Sequence, residues 1–193
     1  MRVELQRVEE EFKGFVTVEG AVLRFERFSG EMSHEIVRHR YFRGDAVGVL
    51  LFDANTRRVL LQRQFRYTAY ARTGEGWLVE CVAGLMEANE SPMEVAVREV
   101  REETGLRLKR AELLAHYFIS PGGSSDQVYL FLGEVENPED ARGVHGLWEE
   151  GEEIQAEWVP VKRALEMIDN GEIKDAKTLI ALGLLDRRLR ASA

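Results

Sequence analysis

Cysteine is almost missing from this chain: Cys81 stands alone among 193 residues, which excludes an intrachain disulfide and fits a reducing compartment. Long apolar runs are missing too. The longest, Val47 to Phe52 and Leu179 to Leu185, fall far short of the roughly 20 residues a helix needs to cross a bilayer. No basic, apolar, small-residue progression opens the sequence, so neither export nor membrane attachment is expected, and the cytoplasm is the expected compartment. Positive charge is in deficit. Lys and Arg number 26 against 34 Asp and Glu, a net charge of −8, so there is no broad basic footprint for nucleic acid. An anionic ligand would have to be met locally, by arginines or by divalent cations. The histidines, His34, His39, His116 and His145, are scattered without metal-ligand spacing, and neither a Ser-His-Asp order nor a Walker-type glycine loop is present. Repeats, linkers and low-complexity tracts are also lacking, and with 45% apolar residues one main core is expected.

What is present reads as α+β. From Gly14 to Met32 and again from His34 to Arg40, apolar and polar residues alternate between glycines, the pattern of short antiparallel strands. "DAVGVLLFD" and "RRVLLQRQF", separated by Ala54 to Thr56, suggest a central hairpin, and "GWLVECVAG" one further strand. The period then changes. From Glu90 to Thr104, Met93, Ala96, Val97, Val100 and Thr104 form one helical stripe. Ser91 is a natural N-cap, Pro92 suits the first helical position, Glu94 completes a capping box, and Gly105 can take the left-handed C-terminal turn. Strand-like "LLAHYFIS", "QVYLFLGEV" and "IQAEWVPV" follow, with a loop rich in Gly and Glu between the last two. Two terminal helices are expected, Arg163 to Asn170 and Asp175 to Arg190. The whole predicts a mixed sheet with helices on its faces.

The central helix carries Glu99, Glu102 and Glu103 on one flank beside the apolar stripe. At separations near ~5 Å and an effective dielectric of ~20, each close pair would repel by roughly 3 kcal/mol, and acids near a helix C-terminus oppose the macrodipole. A divalent cation removes that cost. Carboxylate oxygens without a His or Cys cluster suit Mg²⁺ or Mn²⁺ better than Zn²⁺. An acidic helix face is ordinarily a solvated one; the wider pattern gives this one another meaning.

Read whole, "GLMEANESPMEVAVREVREETGL" from Gly84 to Leu106 resembles the Nudix box at every position, a coincidence expected on the order of once in 10⁸ windows. "WLVECVAG" before it and "SPGGSSD", "VHGLWEEGEEI" and "GEIKDAKTLIALGLL" after it are similar to the ADP-ribose pyrophosphatase branch of that family. The resemblance implies a Nudix fold, with a mixed β-sheet sandwiched between helices. It also implies an N-terminal antiparallel β-sheet extension over residues 1–42, attached to a hydrolase domain over 43–193. It further implies hydrolysis of ADP-ribose to AMP and ribose 5-phosphate. GDP-mannose is the rival substrate, and a catalytically silent nucleotide-sugar-binding module the rival of another class.

Site residues follow from the same resemblance. The metals are expected on the Ala83 carbonyl, Glu99, Glu103 and Glu152, with Glu102 nearby, and the base for the attacking water on Glu150. Arg98 is expected to hold the carboxylates in orientation. Substrate positions carry over to Arg38, Arg43, Arg66, Leu85, the turn Ser120, Pro121 and Gly122, and Asp126, where relatives often have Glu. Arginines suit phosphate by bidentate contact, and a Pro-Gly-Gly turn lets backbone N–H groups come close to a ribose or diphosphate. The branch works as a dimer with exchanged N-terminal strands, so a homodimer is expected whose sites include Phe15 from the neighbouring chain.

Overall fold

The computed structural model describes residues 1–141, 144–146, 149, 151 and 153–192. They form two compact units, Met1–Asp45 with Tyr117–Gln127, and Ala46–His116 with Val128–Ala193. In the first, β1 (Val3–Lys13), β2 (Thr17–Phe25) and β3 (Ile36–Phe42) make an antiparallel sheet with β2 in the middle. The alternation in the sequence marks strands only from Gly14 onward, so β1 is an addition. The reason lies in two register shifts, between Leu5 and Arg7 and between Glu10 and Phe12. Each bulge inserts a residue, so the apolar positions Val3, Leu5, Val8 and Phe12 lose the period of two by which a strand is read.

The second unit is built on a mixed sheet. Among the described residues its order is β10 (Val144–His145), β11 (Ile154–Pro160), β5 (Arg58–Phe65), β4 (Ala46–Asp53), β9 (Gln127–Val135) and β8 (Leu108–Phe118). The expected hairpin is β4 and β5, antiparallel with Leu51 opposite Leu60, while β4 runs parallel to β9. Val47, Val49 and Leu51 join Val95, Ala96 and Val100 of the central helix α2 (Pro92–Thr104) in one buried cluster. Leu50, of opposite parity, is fully buried as well, and β4 also packs against the terminal helix α4 (Ala176–Ala191). A strand buried on both faces reads as a continuous apolar run, which is what Val47 to Phe52 is. The helix before it, α3 (Val161–Asp169), packs on β5 and β11. Among the described residues no helix is long and apolar enough to cross a membrane.

Two local expectations are corrected. "GWLVECVAG" is not one strand but two, β6 (Trp77–Glu80) pairing with β5 and β7 (Val82–Leu85) pairing with β4. The break falls at Cys81, whose N–H donates to the Thr178 hydroxyl (2.8 Å) instead of a ladder carbonyl. A short helix, α1 (Tyr67–Thr73), also stands where none is expected; it buries no residue, and its N-cap, Arg66, makes no capping side-chain bond. Without an apolar stripe or a capping residue it leaves no helical signature in the sequence.

Candidate active site

The central helix begins as its sequence requires. Ser91 accepts from the Glu94 N–H, the Glu94 carboxylate accepts from the Ser91 N–H, Pro92 occupies the first turn, and Gly105 closes the helix with φ +70°. Its buried face, however, differs from the expected stripe. Val95, Ala96, Glu99, Val100, Glu103 and Thr104 are buried, whereas Met93 and Val97 are 41% and 48% exposed. The two glutamates therefore do not flank the packed face; with Val95 they form one i, i+4, i+8 row of it.

Burying a carboxylate is costly unless it is paired or hydrogen-bonded, and each of these has partners. Glu103, 3% exposed, accepts at Oε2 from Gln62 Nε2 (2.7 Å) and from the Ala83 N–H (3.0 Å). Glu99 accepts at Oε1 from Arg98 Nη1 at 2.6 Å and lies against the α-carbon of Gly84, in space that any β-carbon there would need. Arg98 joins the group. Its guanidinium forks onto Glu90 (2.9 and 3.0 Å), reaches Glu102 at 3.3 Å and donates to the Leu85 carbonyl at 3.1 Å. The hydrogen bond to Glu90 is the main reason that Arg98 is raised above its ordinary value and Glu90 held below its own. Part of the repulsion anticipated along the helix is thus relieved by the chain itself.

Ala83, Leu85, Arg98, Glu99, Glu102 and Glu103 are accordingly brought together where β7 meets α2. Among the described residues no three acidic, imidazole or thiol side chains make a preassembled metal cage. Glu150 and Glu152, the expected base and the fourth metal ligand, lie outside the described residues. The donors that are placed are all hard oxygens, carboxylates beside a strand carbonyl, and Gly84 leaves open the space into which Glu99 folds. That set fits Mg²⁺ or Mn²⁺.

Arg66 sits at the end of β5 in a bidentate fork with Glu80 (2.9 and 3.0 Å). Glu80 is 2% exposed and also lies 3.6 Å from Lys177 Nζ, which is 2.6 Å from Asp175. Neither Glu80 nor Lys177 stands out in the sequence by a motif; the available signal is an acid inside an otherwise apolar strand. Cys81, next to Glu80, is fully buried, and burial pushes its thiol up to about 12, so it packs as a small apolar group.

The other substrate positions fall in the first unit. The Arg43 N–H donates to both oxygens of Asp126 (3.2 and 3.3 Å), and the Arg43 guanidinium lies 5.8 Å from the centre of the Phe15 ring. Ser120, Pro121 and Gly122 form an exposed turn in which the Gly123 and Ser124 N–H groups donate to the Ser120 carbonyl. Asp126, 4% exposed, is fixed from the other side because its own N–H donates to the Ser124 hydroxyl. Arg38 is exposed on β3 and donates to the Val37 carbonyl.

Comparison with known proteins matches the family model described as the NUDIX domain to residues 42–182. An ADP-ribose pyrophosphatase of Escherichia coli (strain K12) is 38% identical over 180 residues, covering 93% of this chain and 86% of the relative. One of Haemophilus influenzae is 33% identical, covering 89% and 80%. A GDP-mannose pyrophosphatase of Escherichia coli (strain SMS-3-5) is 37% identical over 156 residues, covering 78% and 80%. A crystal structure of an ADP compounds hydrolase superposes with a TM-score of 0.78 over 100% of this chain and 97% of the other, at 20% identity, which agrees in fold.

Proposed function

We propose, from the premise that this chain belongs to the NUDIX domain family, that it hydrolyses ADP-ribose to AMP and ribose 5-phosphate with the aid of Mg²⁺ or Mn²⁺. The observation that carries this reading is the pair of buried carboxylates, Glu99 and Glu103, folded against Ala83 and Gly84. A chain does not ordinarily bury two acids one turn apart on the packed face of a helix without a use for their charge. The ADP-ribose pyrophosphatase of strain K12, similar over 93% of this chain, supports the choice of substrate.

The residues that would hold the cation are Ala83 through its carbonyl, Glu99, Glu102, Glu103 and Glu152. A cation bound there supplies positive charge to the diphosphate and eases deprotonation of the attacking water. The chain does the rest. Water attacks one phosphorus in line, the bond from that phosphorus to the bridging oxygen breaks, and Glu150 takes the proton that the water loses. The water oxygen stays on the attacked phosphate, and the bridging oxygen leaves with the other. Arg98 keeps Glu99 and Glu102 in orientation. Arg38, Arg43 and Arg66 receive phosphate, the Ser120, Pro121 and Gly122 turn with Leu85 lines the substrate, and Asp126 holds the Arg43 backbone.

A homodimer is part of the proposal, with residues 1–42 exchanged and Phe15 serving the neighbouring site. Strand β1 favours this, since every residue in it is exposed, including Val3, Leu5, Val8 and Phe12, and a long edge strand that exposes apolar side chains invites pairing with another chain. Sedimentation equilibrium at the mass of one chain would reject the dimer. A reducing cytoplasm is the compartment proposed, in keeping with the lone, buried Cys81.

The test is a panel of nucleotide sugars with added Mg²⁺, with and without a chelator. ADP-ribose turned over fastest, with AMP as product and no turnover under chelation, is the expected result. Fastest turnover of GDP-mannose, which the similarity to a GDP-mannose pyrophosphatase makes the second reading, replaces the substrate. Binding without any product makes the chain a silent module.

A further inference from the structure

Glu80 ends β6 opposite Gln62 of β5 and is 2% exposed. Its two oxygens receive Arg66 Nε and Nη2 at 2.9 and 3.0 Å, and Oε2 lies 3.6 Å from Lys177 Nζ. Lys177 reaches Asp175 at 2.6 Å, and Asp175 caps α4 by accepting from the Thr178 N–H and hydroxyl at 2.9 and 2.7 Å. Burial alone would push Lys177 down and Asp175 up; their contact with each other, helped by Glu80 on the lysine and Thr178 on the aspartate, reverses both. Two acids and two bases thus balance on the way from β5 to the start of α4.

Such a group is a poor stabiliser, since apolar side chains of similar volume are often neutral or better in its place. What it does supply is direction. A bidentate fork fixes the plane of a guanidinium, and Arg66, though anchored on a buried acid, keeps 34% of its side chain exposed. A cation that is clamped below and reachable from solvent is arranged for an anionic ligand rather than for the core.

We propose that Glu80 is a positioning residue for substrate: it fixes the guanidinium of Arg66 and, through Lys177, ties it to the start of α4, so that Arg66 meets the diphosphate of a nucleotide sugar already oriented. This rests on the pyrophosphohydrolase reading above. A preset guanidinium loses less freedom on binding than a mobile one, so the effect falls on substrate affinity.

The test is a double-mutant cycle in the steady-state hydrolysis of ADP-ribose by the full chain, with Arg66→Ala, Glu80→Gln and the pair, and with melting temperatures for each. Arg66→Ala is expected to raise KM by about 10–100-fold and Glu80→Gln by about tenfold, with smaller changes in kcat. On the Arg66→Ala background, Glu80→Gln should add less than about twofold, because it acts through the missing arginine. Should Glu80→Gln not fold, Glu80→Asp replaces it in the cycle; it keeps the charge but is too short for the fork, and the same KM rise is expected. A KM unchanged by either Glu80 variant while Arg66→Ala raises it overturns the proposal alone, as do effects of the two positions that multiply in the pair. A KM unchanged by Arg66→Ala overturns the role of Arg66 and the proposal with it. A wild-type chain that hydrolyses no nucleotide sugar overturns the underlying reading.

Discussion

Gly84 and Glu99 fit only as a pair: the Glu99 carboxylate lies where a β-carbon on residue 84 would have to be. Gly84→Ala must displace that carboxylate or part β7 from α2. Overpacking of this kind costs about 1–3 kcal/mol, a melting temperature lower by roughly 2–12 °C in a chain of this size. Turnover should fall by about 10²-fold, since a carboxylate moved by an ångström no longer serves the same geometry. Calorimetry and kcat on one preparation check both, and an active Gly84→Ala enzyme would mean that Glu99 has no fixed task.

Glu103→Gln separates charge from shape. The amide oxygen of the new side chain can still accept from Gln62 Nε2 and the Ala83 N–H, the donors that Glu103 has now, so the fold and its melting temperature should persist. The lost negative charge should lower kcat on the order of 10²–10³-fold. Near-normal turnover removes Glu103 from the proposed metal site.

Arg98 joins Glu90, Glu99 and Glu102, so Arg98→Met leaves these acids without the cation that links them. Repulsion between Glu99 and Glu102, at i and i+3, then opposes the helix, and the apo protein should melt several degrees lower. Excess Mg²⁺ should restore more stability to this variant than to the wild type, because an ion that binds the folded state now also relieves that repulsion. Equal stabilisation of both proteins in scanning calorimetry counts against shared occupation of this patch by Arg98 and a metal.

The contact between Asp175 and Lys177 sets limits to stability in pH. Asp175 is lowered in the folded chain, despite burial, by Lys177 and Thr178; its contribution is complete above its ordinary value of 3.8 and is lost as pH falls through the lower folded value. Lys177 is raised, despite burial, by Asp175 and Glu80; its contribution is complete below its ordinary 10.5 and is lost as pH rises through the higher folded value. Melting temperature plotted against pH should therefore carry an acid limb below 3.8 and an alkaline limb above 10.5 from this pair. Asp175→Asn keeps a capping oxygen for Thr178 but should flatten the acid limb; an unchanged acid limb in that variant assigns it to other groups.

How far the chain could be read in advance varies from element to element. Helix α2 was legible to the residue because its signals are local: Ser91, Pro92, Glu94 and Gly105 each act within one turn of the end they mark. The run from Val47 to Phe52 announced a buried central strand for a similar reason, since both faces of β4 are covered. Helix α1 was not legible, because nothing in it is buried and its N-cap makes no side-chain bond. Strand β1 was obscured by two bulges that break the period of two among its apolar residues.

For the site, the sequence by itself determined the inventory. It supplied the acids, the arginine beside them and the glycine before them, in a row whose repulsion suggested a divalent cation and whose resemblance to the Nudix box implied a diphosphate. Which of these are buried, and what each one touches, was left to tertiary structure. Helix periodicity fixes the angle between neighbours along α2 but not which direction faces the sheet, and the packing of Val95 and Val100 turned Glu99 and Glu103 inward while leaving Met93 and Val97 outside. Likewise the split at Cys81 and the Arg66–Glu80–Lys177 linkage depend on Thr178 and Lys177, which lie nearly a hundred residues away from Cys81 and Glu80 along the chain. No local pattern can encode a partner so distant, because the contact exists only once the sheet has brought both segments to the same place.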